Sequence, residues 1–321
     1  MKKKRRNQLA EWKILITDGL DSNGIAILKK SADVVEMTGI TPEDLIKQVV
    51  DFDALIIRGR TKVTTAVFEA AKKLKVVGRA GVGVDNIDLS AAKTHGVTVV
   101  NSPMATTNAV AELTMALMLS AVRQIALADS SIKAGRWLKK ELEGFELSGK
   151  TLGVIGFGRI GASVAKRAAA FDMTILGYDP MVPADEITTR GGSPVTLDEL
   201  LQQSDLITMH LPLTDETRGM INTVAFSKMK KGIYLICAAR GGVIDEAALL
   251  EALNSGQVAG AALDVFVAEP PGLTDLVAHP KLVCTPHVGA QTVEAQRRAS
   301  NDIAEEVLAA LNGQSLRWKV T

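Results

Sequence analysis

The stretch Gly156-Phe157-Gly158-Arg159-Ile160-Gly161 has the residue types that let a backbone close around a pyrophosphate. Gly156 allows a tight turn, Gly158 lets the chain approach phosphate oxygens, and Gly161 lets a following helix pack close to the preceding strand. Backbone N–H groups near Arg159 and Ile160, at the positive end of that helix, would meet the ligand's charge. A dinucleotide also needs a carboxylate about 20 residues on, to accept from its ribose hydroxyls. Asp179 stands eighteen residues after Gly161, where its other use would be to start an Asp-Pro turn. Beyond it come Pro180 and Met181, and the nearest arginine is Arg190. A 2′-phosphate would meet a carboxylate first, so NAD is expected rather than NADP. A second glycine pair, Gly81-Val82-Gly83, has Asn86 where a third glycine belongs, and Asp85 and Asp88 there would repel a pyrophosphate.

Hydride transfer from an alcohol carbon needs a base for the hydroxyl proton and a cation for a substrate carboxylate. Of the four histidines, His95 and His279 read as surface residues. His210, before Pro212, ends a strand and either lines a crevice or serves the scaffold. His287, in Cys284-Thr285-Pro286-His287-Val288-Gly289-Ala290, falls just past the carboxyl end of a predicted buried strand, where open α/β sheets bind ligands. Context alone leaves Arg240 and Glu269 ambiguous. The first could cap a helix or lie on the surface, and the second, before two prolines, could be a solvated loop residue.

The elements that must hold these groups alternate between short apolar runs and helical patterns. Strands are predicted at 13–16, 34–35, 54–57, 76–77 and 97–100, with a helix over 24–30 and another starting at Thr41-Pro42. One long apolar helix is predicted over 109–126. A second series of strands follows at 151–155, 174–178, 206–211, 233–238, 259–265 and 281–285, with helices over 161–171, 197–203, 246–254 and 293–311. Alternation of this kind predicts α/β architecture: parallel, doubly wound sheets with right-handed crossovers.

Composition is compatible with that plan. The 321 residues suit two compact domains, and with aromatics at only 4% the cores must be built from Val, Ile, Leu and Ala. The net charge of +1 includes five basic residues in Lys2–Arg6, which leaves 32 basic against 36 acidic residues elsewhere and no signal for nucleic acid. No charge-free apolar stretch is long enough to cross a membrane. Residues 1–11 read as a flexible tail, with no apolar segment of a secretory signal. Cys237 and Cys284 lie in apolar runs and read as core thiols of a reducing, cytoplasmic compartment; neither has metal-ligand spacing.

Taken in order, Gly78-Arg79-Ala80-Gly81-Val82-Gly83-Val84-Asp85-Asn86, the glycine loop, Ala239-Arg240-Gly241-Gly242, Leu263-Asp264-Val265-Phe266, Glu269-Pro270-Pro271 and Pro286-His287-Val288-Gly289-Ala290 form a set. This set resembles the D-isomer-specific 2-hydroxyacid dehydrogenase family over about residues 13–311. Within that family it is most similar to the branch that oxidises 3-phospho-D-glycerate in serine biosynthesis. The resemblance implies a Rossmann-type NAD domain inserted into a flavodoxin-like substrate domain. Residues 103–291 would form the first, with a dimerisation segment at 103–150, and residues 1–102 with 292–321 the second, with the active cleft between them. It implies that Arg240 grips the substrate carboxylate, that His287 exchanges a proton with the C2 oxygen, and that Glu269 orients the imidazole. It adds cofactor contacts from His210, Pro212, Ala238, Asp264 and Ala290, and it implies a homodimer. Met104-Ala105-Thr106-Thr107 stands where that branch commonly has a Gly-Asn or Ser-Asn pair, and the chain ends at Thr321 without the regulatory domain that many members carry, so serine feedback is not expected.

A phosphorylated 2-oxo acid needs cations at both ends. Backbone N–H groups of Gly81, Val82 and Gly83 would assist Arg240 at the carboxylate. Arg58 and Arg79 follow predicted strands and would face the phosphate, and Arg60 would point the same way in an extended chain; the competing use of these arginines is to pair with Asp53 or Asp85. Two other functions stay open: a reductase of glyoxylate, hydroxypyruvate or another plain 2-oxo acid, and an NAD-sensing binding protein like the C-terminal-binding corepressors, with the basic N-terminus as a nuclear address.

Overall fold

A computed structural model describes residues 11–321; the basic run at Lys2–Arg6 and its expected tail lie outside the described residues. The chain forms two compact units, residues 11–106 with Ala290–Thr321, and Thr107–Gly289.

In the first unit, strands β1 (Trp12–Ile16), β2 (Ala32–Glu36), β3 (Ala54–Ile57), β4 (Val76–Arg79) and β5 (Thr98–Asn101) pair in parallel in the order β2-β1-β3-β4-β5. This is the flavodoxin-like order. All four residues of β3 are buried, as a strand covered on both faces requires. One cover is the C-terminal helix Val293–Leu311, whose Ile303, Ala304 and Val307 join Ile14, Ile16, Ile56 and Val76 in one apolar cluster.

The second unit carries β6 (Thr151–Ile155), β7 (Thr174–Tyr178), β8 (Ser193–Pro194), β9 (Leu206–Met209), β10 (Ile233–Cys237), β11 (Val258–Leu263) and β12 (Leu282–Cys284). They lie in the order β12-β11-β10-β9-β6-β7-β8, and every pair is parallel. The first strand in sequence, β6, lies between β7 and β9, so the chain winds outward from it in both directions. That reversal is the switch point of a Rossmann sheet, and it opens a crevice at the carboxyl ends of the strands.

Two expectations are corrected. The long apolar helix is two helices, Thr107–Val122 and Ile125–Lys133, meeting at 65°. Gln124 takes a left-handed φ of 50° at the break, and its side chain donates to the Glu143 carbonyl at 3.0 Å. Among the described residues no single helix is long and apolar enough to cross a membrane; the first of this pair buries Ala111, Met118 and Val122 in the core. The second correction concerns Cys284, which is exposed: β12 is a short edge strand with only β11 as neighbour. Cys237, on the interior strand β10, is buried, and burial pushes its thiol up to about 11.

Candidate active site

Every chemically suggestive residue of the second unit follows the carboxyl end of a strand of one sheet. The glycine loop follows β6 and Asp179 follows β7. His210 follows β9, Ala238 to Arg240 follow β10, Asp264 follows β11, and His287 comes just beyond β12. Parallel pairing delivers all these ends to the same edge, because each connection carries the chain back to the opposite edge before the next strand starts.

The three loop glycines have different reasons. Gly156 has φ +91°, and a Cβ there would lie 2.7 Å from the His210 carbonyl carbon. At Gly161 a Cβ would lie 2.0 Å from the Gly156 carbonyl oxygen, so the helix Arg159–Ala169 packs onto the loop only without a side chain. Gly158 meets nothing within 4 Å and has an ordinary φ of −67°. No described residue forbids a side chain at 158, whereas a pyrophosphate lying on that backbone would. The helix begins there without a side-chain cap, leaving its first N–H groups for an anion. His210 adds a buried Nδ1 that has no hydrogen-bond partner among the described residues, while its Nε2 lies 3.0 Å from Thr208 Oγ1. Burial pushes this imidazole down to about 3, so it is neutral at pH 7. These features fit a bound dinucleotide.

Asp179 lies against the loop. Its Oδ2 accepts from Phe157 N–H at 2.7 Å and its Oδ1 from Met181 N–H at 2.8 Å; carboxylate oxygens keep lone pairs for a ribose hydroxyl after such bonds. Arg190, remote in sequence, reaches the same loop: its Nη1 donates to the Phe157 carbonyl at 2.5 Å and it forms an ion pair with Glu186. Pro212 turns the chain after His210, its carbonyl accepting from Thr217 Oγ1 at 2.7 Å.

The two candidate proton-transfer groups lie together. His287 Nδ1 lies 2.8 Å from Glu269 Oε2, while Glu269 Oε1 accepts from Phe266 N–H at 3.1 Å. The loop carrying Glu269 is tied down again where Val267 N–H donates to Glu246 Oε1 at 2.7 Å. His287 has φ +52°, a left-handed conformation that costs a non-glycine residue about 1–2 kcal/mol and persists where neighbours hold it. Those neighbours are held by Asp264, which is 1% exposed and whose oxygens accept from Thr285 Oγ1 and from the N–H groups of Val288 and Gly289. Thr285 was not singled out from sequence; a hydroxyl just before Pro286 was its only signal. Arg240 extends from the end of β10, and one Nη1 bond goes to the Ala239 carbonyl at 2.7 Å.

In the first unit Arg79 ends β4, and its guanidinium lies on the Gly81 backbone, where a Cβ would fall 1.4 Å from Nη1. Gly81 and Val82 are fixed through their carbonyls, which accept from Ser102 N–H at 2.9 Å and Asn101 Nδ2 at 2.7 Å; Gly83 follows in the same loop. Arg58, after β3, donates from Nη2 to Gln291 Oε1 at 3.0 Å and forms no ion pair with Asp53. Burial lowers its pKa from the ordinary value, and the Asp18 charge opposes that shift. Ala290 is placed by Gln296, whose Nε2 donates to its carbonyl at 2.7 Å. Arg60 departs from expectation: it pairs with Asp18 at 3.3 Å and donates to the Thr17 carbonyl at 3.0 Å.

Asp18 is the residue that sequence reasoning missed in this unit. It follows β1 and accepts from the N–H groups of Arg58 and Thr61, from Thr61 Oγ1 and from the Arg60 guanidinium. Burial alone would raise its pKa, but these donors outweigh it and hold the carboxyl below its ordinary value.

Residues 115–289 match the NAD binding domain of the D-isomer specific 2-hydroxyacid dehydrogenases, more than half of the chain. The chain belongs to that family. Its second unit is therefore the family's NAD-binding domain, and the glycine loop and Asp179 lie within the matched residues. D-3-phosphoglycerate dehydrogenase 2, chloroplastic, of Arabidopsis thaliana is 50% identical over 308 residues, covering 95% of this chain and 49% of that protein. D-3-phosphoglycerate dehydrogenase of Methanocaldococcus jannaschii is 49% identical over 303 residues, covering 94% of this chain and 58% of that protein. The chain thus spans about half the length of the curated relatives it matches. Among solved structures, a glyoxylate reductase from Paecilomyes thermophila superposes with a TM-score of 0.89 at 31% identity, covering 97% of this chain and 99% of that one.

Proposed function

We propose that the chain interconverts 3-phospho-D-glycerate and 3-phosphohydroxypyruvate with NAD. The observation that carries this reading is the 2.8 Å hydrogen bond between His287 Nδ1 and Glu269, on the sheet edge that also bears the glycine loop. With Nδ1 donating to the carboxylate, Nε2 bears the lone pair and can take the C2 hydroxyl proton. Glu269 then stabilises the imidazolium so formed. Arg240 offers a planar fork that suits the carboxylate beside the reacting carbon and the C2 oxygen as its charge grows. NAD, when bound, supplies the hydride acceptor. In the reverse direction the same imidazolium returns its proton to the C2 oxygen.

The phosphorylated substrate is supported by the names of both relatives and by Arg58, whose one side-chain hydrogen bond among the described residues goes to a neutral partner, Gln291. Arg58→Ala should raise KM steeply for phosphohydroxypyruvate and barely change activity toward hydroxypyruvate, since charge-assisted phosphate contacts contribute about 1.5–3 kcal/mol each. Equal losses on both substrates would place Arg58 in the scaffold and remove this support. A second reading, reduction of an unphosphorylated acid, is favoured by the glyoxylate reductase superposition; preferred turnover of glyoxylate by the wild type would select it. Failure to turn over any 2-oxo acid while binding NAD would instead mark a binding protein. We also propose a homodimer formed through residues 103–150. Ile125, Ile132 and Trp137 support it, being 54%, 56% and 78% exposed, and sedimentation at monomer mass over micromolar concentrations would overturn it.

A further inference from the structure

Phe157, between the first two glycines of the cofactor loop, is held from three sides. Its ring is buried beside Ile187 of the helix Ala184–Thr189; a Cβ on Gly177 would meet both, at 2.7 and 2.6 Å. Its N–H donates to Asp179 at 2.7 Å, and its carbonyl accepts from Arg190 Nη1 at 2.5 Å. Arg190 stands at the end of that short helix, where the chain closes in a fixed way. Gly191, at φ +89°, donates its N–H to the Thr188 carbonyl at 3.0 Å, and Gly192 donates to the Ile187 carbonyl at 3.1 Å. Glu186, one turn back, pairs with Arg190 Nη2.

The backbone of a single residue therefore joins the Asp179 carboxylate to a guanidinium. A 2′-phosphate on a ribose at Asp179 would call for such a cation, since arginine near that position is how NADP is accommodated in Rossmann sites. In this chain the cation is engaged elsewhere: Nη1 is on the loop carbonyl and Nη2 is on the Glu186 carboxylate. We propose that Glu186 withholds Arg190 from the ribose end of the cofactor site. The pair thus acts beside Asp179 as a determinant of NAD over NADP. This role concerns the dinucleotide alone and holds whichever 2-hydroxy acid is the substrate.

Calorimetric titration of the full chain with NAD and with NADP tests it without turnover. Glu186→Ala removes the carboxylate and leaves a good helix former in its place. NADP should then bind about tenfold more tightly relative to NAD, the lower end of what a charge-assisted phosphate contact contributes. Adding Arg190→Ala should abolish that gain. Arg190→Ala alone should leave the ratio of the two dissociation constants as in wild type, because the guanidinium does not serve the phosphate there. An unchanged ratio in Glu186→Ala overturns the proposal, as do equal affinities for NAD and NADP in the wild type. The same gain with Arg190→Ala present would trace the effect to the charge of Glu186 itself, and also overturns it. Equal weakening of both dinucleotides, with a lowered Tm, would make the pair a brace of the loop and nothing more. Glu186→Gln carries the same comparison if Glu186→Ala does not fold. A chain that turns over no 2-oxo acid still yields these constants, so failure of the substrate reading is told apart from failure here.

Discussion

A histidine with φ +52° is held in a conformation it would leave if released, and under the proposed function the groups that hold it are ones the chemistry would depend on. Glu269 takes Nδ1, and Asp264 takes the backbone on either side. His287→Ala should therefore lose about 10²–10⁴-fold in turnover, the usual contribution of a positioned acid–base group, while NAD affinity survives. Stopped-flow and equilibrium binding would separate the two effects, and near-wild-type turnover would remove His287 from the chemistry. Residue types and order carried most of this constellation in the sequence. What they could not carry was pairing at a distance: Glu269 and His287 are eighteen residues apart, and nothing in their spacing distinguishes a hydrogen bond from two solvated loops. Asp18 is the same case, an acid after an apolar run whose five donors appear only once β1 and β3 lie side by side.

Among the elements, the loop between β6 and its helix separates a folding requirement from a binding one. Gly161→Ala should destabilise the second unit, since its Cβ would lie 2.0 Å from a carbonyl oxygen, and Gly158→Ala should fold normally and bind NAD poorly. Thermal melts and calorimetry on the two variants would show this crossover; equal loss of stability would mean that Gly158 is also a packing residue. The loop after β3 depends on Asp18 in a pH-dependent way. A carboxyl held below its ordinary value of 3.8 stabilises the fold above that pH and loses the contribution as pH falls through the folded value. Asp18→Asn should cost about 1–3 kcal/mol at pH 7, and the gap to wild type should narrow below about pH 4 in urea titrations. A gap independent of pH would assign the loss to packing. Strand positions and sheet type were legible because parallel strands buried on both faces are plain apolar runs. The helix break at Gln124 was not, because Ile125, Ala126 and Leu127 continue the apolar pattern while the turn is set by Glu143, nineteen residues on. Cys284 was misjudged for a related reason: an apolar run does not reveal that its strand lies at a sheet edge.

For the whole molecule, two units built on parallel sheets each bring loops to the carboxyl ends of their strands, and each carries its own share of the candidate groups. The second unit holds the glycine loop and the His287–Glu269 couple; the first holds Arg58, Arg79 and the Gly81 loop. Under the proposed function one hydride leaves C2 for the dinucleotide while one proton leaves its oxygen for the imidazole. The direct measurement is isotope transfer from 3-phospho-D-glycerate deuterated at C2, followed by mass spectrometry of the nicotinamide product. The expected result is one deuterium on the reduced nicotinamide and none from the L isomer. Deuterium released to solvent, or NADH formed without the label, would contradict it.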